Sequence, residues 1–144
     1  MDAARSIPST HTRSFRVLIV DDNAMDTELT AGQLGSAWPF EGEMAVDSAA
    51  SGREAIEKLR EHHFALLILD WQMSPLNGGD VLRYLRKNGV CVPVVVLSGL
   101  QRHEIGDNLE SYSAAFLNKD NLNQKTLHTA IAQSLRLLGR LPSA

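Results

Sequence analysis

Apolar runs and helical spacings alternate along the chain. FRVLIV at 15–20 is a short β-branched run, too short for an independent helix and suited to a strand. It ends at Asp21 and Asp22, and Asn23 is placed to cap a helix with Asp26 in its first turn. That helix is expected to run to about Gly35, weakened by Gly32 and Gly35. WPFEG at 38–42 reads as a loop and EMAVDSA at 43–49 as a strand. Ser51 and Glu54 form a capping-box pattern ahead of Ala55, Ile56 and Leu59, which starts a second helix. ALLIL at 65–69 is a strongly apolar strand that emerges at Asp70. Asn77 and Asp80 open a third helix, which Asn88-Gly89 closes. PVVVL at 93–97 is a further buried strand, residues 101–112 a poorer helix interrupted by Gly106, and AAFLN at 114–118 a last short strand. Leu127, Ile131, Leu135 and Leu138 recur at helical spacing and mark the final helix.

Five strands alternating with five helices predict right-handed βαβ crossovers and a parallel sheet covered on both faces. Strands as continuously apolar as VVVL fit burial on both sides. Polar residues 1–14 and the RLPSA end at 140–144 read as a flexible N-terminal tail and a C-terminal tail around one domain at 15–139.

Composition narrows the function without naming it. With 144 residues, 44% of them apolar and 22% charged, the chain suits a single globular domain. A net charge of -3 argues against a basic nucleic-acid surface. The single cysteine, Cys91, excludes an internal disulfide framework and suits a reducing compartment. No apolar run approaches the ~20 residues of a membrane span, and the first residues lack the apolar core of a secretory signal. The expectation is a cytoplasmic protein without nucleic-acid or membrane partners.

The candidate chemistry lies where the strands end. In open parallel sheets, sites form beyond the carboxyl ends of the strands. There the chain delivers Asp21 and Asp22, then Asp70, Ser98 and Lys119. Three carboxylates brought together repel one another and invite a divalent cation. Oxygen-only ligands favour Mg²⁺, which often bridges to a phosphoryl group. A lysine and a hydroxyl opposite the metal can hold phosphoryl oxygens, and a carboxylate can itself become an aspartyl phosphate. Taken singly these residues are bland: an acidic pair also caps helices, a serine often follows a strand, and a lysine is usually a solvated surface residue.

In register they are specific. VLIVDDN (17–23), LLILDWQMSPLNG (66–78), VVVLSG (94–99) and FLNK (116–119) together resemble the receiver domain of bacterial two-component response regulators, over roughly residues 15–139. The resemblance implies a flavodoxin-like, doubly wound α/β sheet with strand order 2-1-3-4-5, as in a single-domain chemotaxis-type regulator. It implies Asp70 as phosphoacceptor, and Asp21 and Asp22 as the Mg²⁺-binding pair, completed by Asp70 and the backbone carbonyl of Gln72. Ser98 resembles the switch hydroxyl, Lys119 the lysine that pairs with the phosphoryl group, and Phe116 the switch aromatic. It further implies a histidine kinase or histidine phosphotransfer protein as donor, and a downstream partner or homodimer engaged through the face of residues 101–138. Such a chain is a phosphorylation switch that assists its own phosphotransfer and dephosphorylation rather than a metabolic enzyme.

The chain departs from the pattern in places. Ser74 stands where the family usually has proline, with Pro75 one residue later. Lys119 is followed by Asp120 rather than proline, so the usual cis bond is not expected there, and Asp120 is placed to cap the last helix. Phe116 lacks a hydroxyl and would switch by packing alone. Leu100, two residues past Ser98, cannot orient an attacking water, which predicts a long-lived phosphoryl group. Trp71, beside Asp70, is a natural reporter of binding. Three alternatives stay open: a pseudo-receiver that binds partners unmodified, a receiver cut from a longer regulator, and an aspartate-nucleophile phosphatase. The phosphatase usually needs a second acid where Gln72 stands. The N-terminal Met and the tails favour a complete product over a fragment.

Overall fold

The computed structural model describes residues 14–106 and 109–139. Five strands, β1 (Ser14–Val20), β2 (Glu43–Ala49), β3 (Leu66–Asp70), β4 (Val94–Ser98) and β5 (Ala114–Asn118), form one sheet in the order β2-β1-β3-β4-β5. Every neighbouring pair is parallel. Four α-helices connect and cover them: α1 (Ala24–Ala37), α2 (Gly52–Glu61), α3 (Gly78–Lys87) and α4 (Gln124–Leu137). The expected tails at 1–13 and 140–144 lie outside the described residues, and Ser14 belongs to β1 rather than to a tail.

The core divides at the sheet because successive strand residues point to opposite faces. Val17, Ile19, Leu66, Ile68, Val95 and Leu97 pack with Leu34 of α1 and Leu127, Ile131 and Leu135 of α4. Leu18, Val20, Leu67, Leu69, Val94 and Val96 pack on the other side with Ala55 and Leu59 of α2 and Val81, Leu82 and Leu85 of α3. β3 and β4 are buried at every position, which is why their sequences are unbroken apolar runs. β2 lies at an edge and is exposed along most of its length.

Three of the four helices start at residues that the sequence marks. The side chains of Asn23, Ser51 and Asn77 accept hydrogen bonds from the backbone N–H groups of Asp26, Glu54 and Asp80. α4 is instead capped by Asn123, which accepts from the Thr126 N–H. Asp120, the expected cap, lies earlier, in a 3₁₀ turn (Lys119–Asn121), where its own N–H donates to Asn118 Oδ1. Among the described residues the cis peptide is Ser74–Pro75.

The expected helix at 101–112 does not form as one element. Two 3₁₀ turns, Arg102–Glu104 and Leu109–Tyr112, take its place, so among the described residues there are four α-helices rather than five. Gly106 falls between them, and each remaining piece is too short to sustain an α-helix, whose first turn is costly to nucleate. Buried Ile105 and Leu109 pin the segment to the sheet instead.

α1 continues past the expected end at Gly35 to Ala37. Leu34 and Ala37 are fully buried, so packing carries the helix through two glycines. A Cβ built at Gly32 meets nothing within 4 Å. Gly32→Ala is therefore expected to raise stability by about 0.5–1 kcal/mol, read as a higher midpoint in urea unfolding.

Candidate functional site

The parallel sheet brings the ends of β1, β3, β4 and β5 to one edge. Asp21 follows β1 and is buried, its N–H held by Ala49 O of β2 at 3.0 Å. Asp70 ends β3 and Ser98 ends β4, both buried. Lys119 follows β5 at once. Asp22, next to Asp21, is exposed. One carboxylate oxygen from each of Asp21, Asp22 and Asp70 falls within 4.8 Å of the other two. Oxygens about 2.1 Å from a shared Mg²⁺ stand at most about 4.2 Å apart, so these hard donors fit the ion after slight closure.

Backbone donors orient the acids. Gln72 N–H donates to Asp70 Oδ1 at 3.2 Å and Asn23 N–H to Asp21 Oδ1 at 2.9 Å. Lys119 Nζ stands 3.6 Å from Asp70 Oδ1 and 3.1 Å from Asp21 Oδ2. It also bonds Asp26 Oδ2 at 2.9 Å.

Electrostatics separates the groups. Burial, then the charge of Asp21, pushes Asp70 up to about 6, against the pull of Lys119 and the Gln72 N–H. Burial works against the Lys119 ammonium, yet its bonds to Asp26 and Asp21 and the charge of Asp70 outweigh it and raise its pKa above the usual lysine range. The site thus holds a carboxylate reluctant to ionise beside a firmly charged lysine.

Ser98, Gln72 and Trp71 stand at this sheet edge, whereas Phe116 lies inside β5. Ser98 Oγ accepts from Leu100 N–H at 3.0 Å. Phe116, in the middle of β5, is half-buried and packs against the α2–α3 side of the core. Gln72 is exposed and contributes its backbone N–H to Asp70. Half-buried Trp71 packs against the glycine that opens α3.

Sequence reasoning missed two residues. Asn118 Nδ2 donates to Leu100 O at 2.9 Å, and Asn118 Oδ1 accepts from Asp120 N–H, so one buried amide joins the loop after β4 to the turn carrying Lys119. Asp26 looked like a first-turn acid but also holds Lys119. Its place on the first turn after the acidic pair was the available signal.

The family model of the response regulator receiver domain matches residues 17–132. The chain belongs to that family. A protein-glutamate methylesterase/protein-glutamine glutaminase of Treponema denticola is 33% identical over 124 residues, covering 84% of this chain and 32% of its own. The alkaline phosphatase synthesis transcriptional regulatory protein SphR of Synechococcus elongatus is 32% identical over 68% of this receiver chain and 40% of its own. The receiver chain thus spans less than half the length of these relatives. Chemotaxis protein CheY4 of Vibrio cholerae is similar in structure, with TM-score 0.70 and 25% identity over 85% of this chain and all (100%) of that one. Among the described residues, no helix of this receiver is long and apolar enough to cross a membrane.

Proposed function

We propose that the chain accepts a phosphoryl group on Asp70 in a magnesium-dependent reaction, from a histidine kinase or histidine phosphotransfer protein. The observation that carries the reading is a buried strand-end carboxylate with two further carboxylates within 4.8 Å and an ammonium at 3.6 Å. An Asp70 oxygen attacks the phosphorus of the donor's phosphohistidine. The P–O bond forms as the P–N bond breaks, and the imidazole leaves with that electron pair and takes up a proton. Asp21, Asp22 and the Gln72 carbonyl would hold the magnesium ion with Asp70, and the ion supplies charge neutralisation for the transferring phosphoryl oxygens. The Gln72 N–H keeps the acceptor carboxylate oriented. The Lys119 ammonium then pairs with the new phosphoryl group.

The modification biases the face formed by residues 101–138. Ser98 would exchange the Leu100 N–H for a phosphoryl oxygen, and Phe116 would repack. Two short 3₁₀ turns in place of a continuous helix suit the segment between β4 and β5 to such movement. Arg86 donates to Ser111 O and lies 4.3 Å over the Tyr112 ring, and Arg102 pairs with Glu110 at 3.1 Å. Half-buried Leu100 offers an attacking water no partner, which favours a long-lived phosphoryl group.

Intact mass after incubation with Mg²⁺ and a small acyl phosphate tests the reading. One added phosphoryl group is expected, lost on chelation and in Asp70→Asn. An unmodified mass under all conditions would favour instead a binding module that works without phosphorylation.

A further inference from the structure

Lys119 has more acidic neighbours than its proposed role needs. Its closest is not Asp70, at 3.6 Å, but Asp26, at 2.9 Å, with Asp21 at 3.1 Å. Asp26 stands apart from the three acids whose oxygens converge, so it competes for the lysine without joining that group. Its position is fixed from below, since its N–H is the one that Asn23 caps at 3.0 Å. A cavity of about 50 Å³ lined by Asp26, Leu29, Thr30, Leu97, Lys119 and Leu122 adjoins the pair and gives the lysine head room on the α1 side.

We propose that Asp26 is a positioning residue that holds the Lys119 ammonium toward α1 and releases it when Asp70 is phosphorylated. This rests on the reading of Asp70 as acceptor. Lys119 must close a 3.6 Å gap to serve a phosphoryl group on Asp70, and it leaves its 2.9 Å partner to do so. The Asp26 contact therefore stabilises the unmodified state and opposes the modified one. Removing it moves the ammonium toward Asp21 and Asp70. That favours a phosphoryl group and, by repulsion, disfavours Mg²⁺ alone.

Beryllofluoride, a phosphoryl mimic, titrated in saturating Mg²⁺ with Trp71 fluorescence as readout, tests this in a Trp38→Phe background. Asp26→Asn is expected to tighten the mimic by about two- to fivefold, the range of a partly exposed ion pair. Mg²⁺ alone should bind more weakly by a similar factor. In Lys119→Met the same Asp26→Asn change should do nothing, because the cycle isolates the pair. An equal effect in both backgrounds means that Asp26 acts by bulk charge and overturns the proposal, as does no effect in either. If Lys119→Met binds the mimic too weakly to titrate, the side-chain NMR signal of Lys119 in the metal-free protein decides. It should shift in Asp26→Asn, and a fixed signal overturns the proposal. Failure of the parent protein to bind the mimic or gain phosphoryl mass is a different outcome, which removes the acceptor reading itself.

Discussion

Without divalent cations, Asp70→Asn should be more stable than the parent protein at pH 7.5, by up to about 3 kcal/mol, and the difference should close as the pH falls toward 4. The carboxyl of Asp70 is pushed from 3.8 to about 6, first by burial and then by Asp21. An acid whose folded pKa lies above its unfolded value binds more protons folded than unfolded between those values. Stability therefore falls as the pH rises through that window and is flat above about 7. A difference of about two units corresponds to about 3 kcal/mol. Asparagine keeps the shape without the charge and escapes the penalty. Urea unfolding of both proteins at a series of pH values, in chelator, checks this. Equal pH profiles would mean that burial and the charge of Asp21 do not hold the Asp70 carboxyl above its ordinary value. Saturating Mg²⁺ should close most of that gap, because an ion bound only by the folded parent adds about 2.7 kcal/mol at a hundredfold excess over its dissociation constant.

The same burial explains why the site was legible before the fold was known. A strand as apolar as LLIL is buried on both faces, so the carboxylate that ends it can stand nowhere but the sheet edge. Parallel crossovers then bring every strand end to that edge, and Asp21, Asp70, Ser98 and Lys119 collect there from stretches far apart in sequence. Helix starts at Asn23, Ser51 and Asn77 were equally readable, because capping is decided within four residues.

What escaped depends on partners remote in sequence or on close competition. Lys119 and Asp26 are 93 residues apart, and no local pattern announces their bond. The segment at 101–112 carries helical spacing, yet buried Ile105 and Leu109 are held to the sheet from either side of Gly106, and two 3₁₀ turns result. Asn123 won the cap of α4 from Asp120 because Asp120 is already drawn into the turn that Asn118 organises.

Gly78→Ala should both destabilise the fold, by about 1–3 kcal/mol, and slow phosphoryl uptake by tenfold or more. A Cβ at Gly78 would fall 3.0 Å from Asp70 O and from Trp71 Cα, and 2.8 Å from Trp71 Cε3. The indole can turn aside, but the other two atoms are the backbone of Asp70 and its neighbour. The Gly78 N–H also donates to Trp71 O at 3.0 Å, so the glycine cannot retreat without losing that bond. The strain is therefore expected to move the end of β3, and a shift of about 1 Å at a reacting group costs on the order of a hundredfold in rate. Gly99→Ala is the contrast: it sits beside Ser98, yet its nearest neighbour, Gln72 Oε1, would be 3.9 Å away, and its fold should be unaffected. Urea unfolding and the rate of phosphoryl mass gain, measured on both variants, separate the cases. Parent-like uptake in Gly78→Ala would show that the backbone of Asp70 tolerates displacement, and that its carboxylate is positioned by the Gln72 N–H and Lys119 rather than by the close seat of α3.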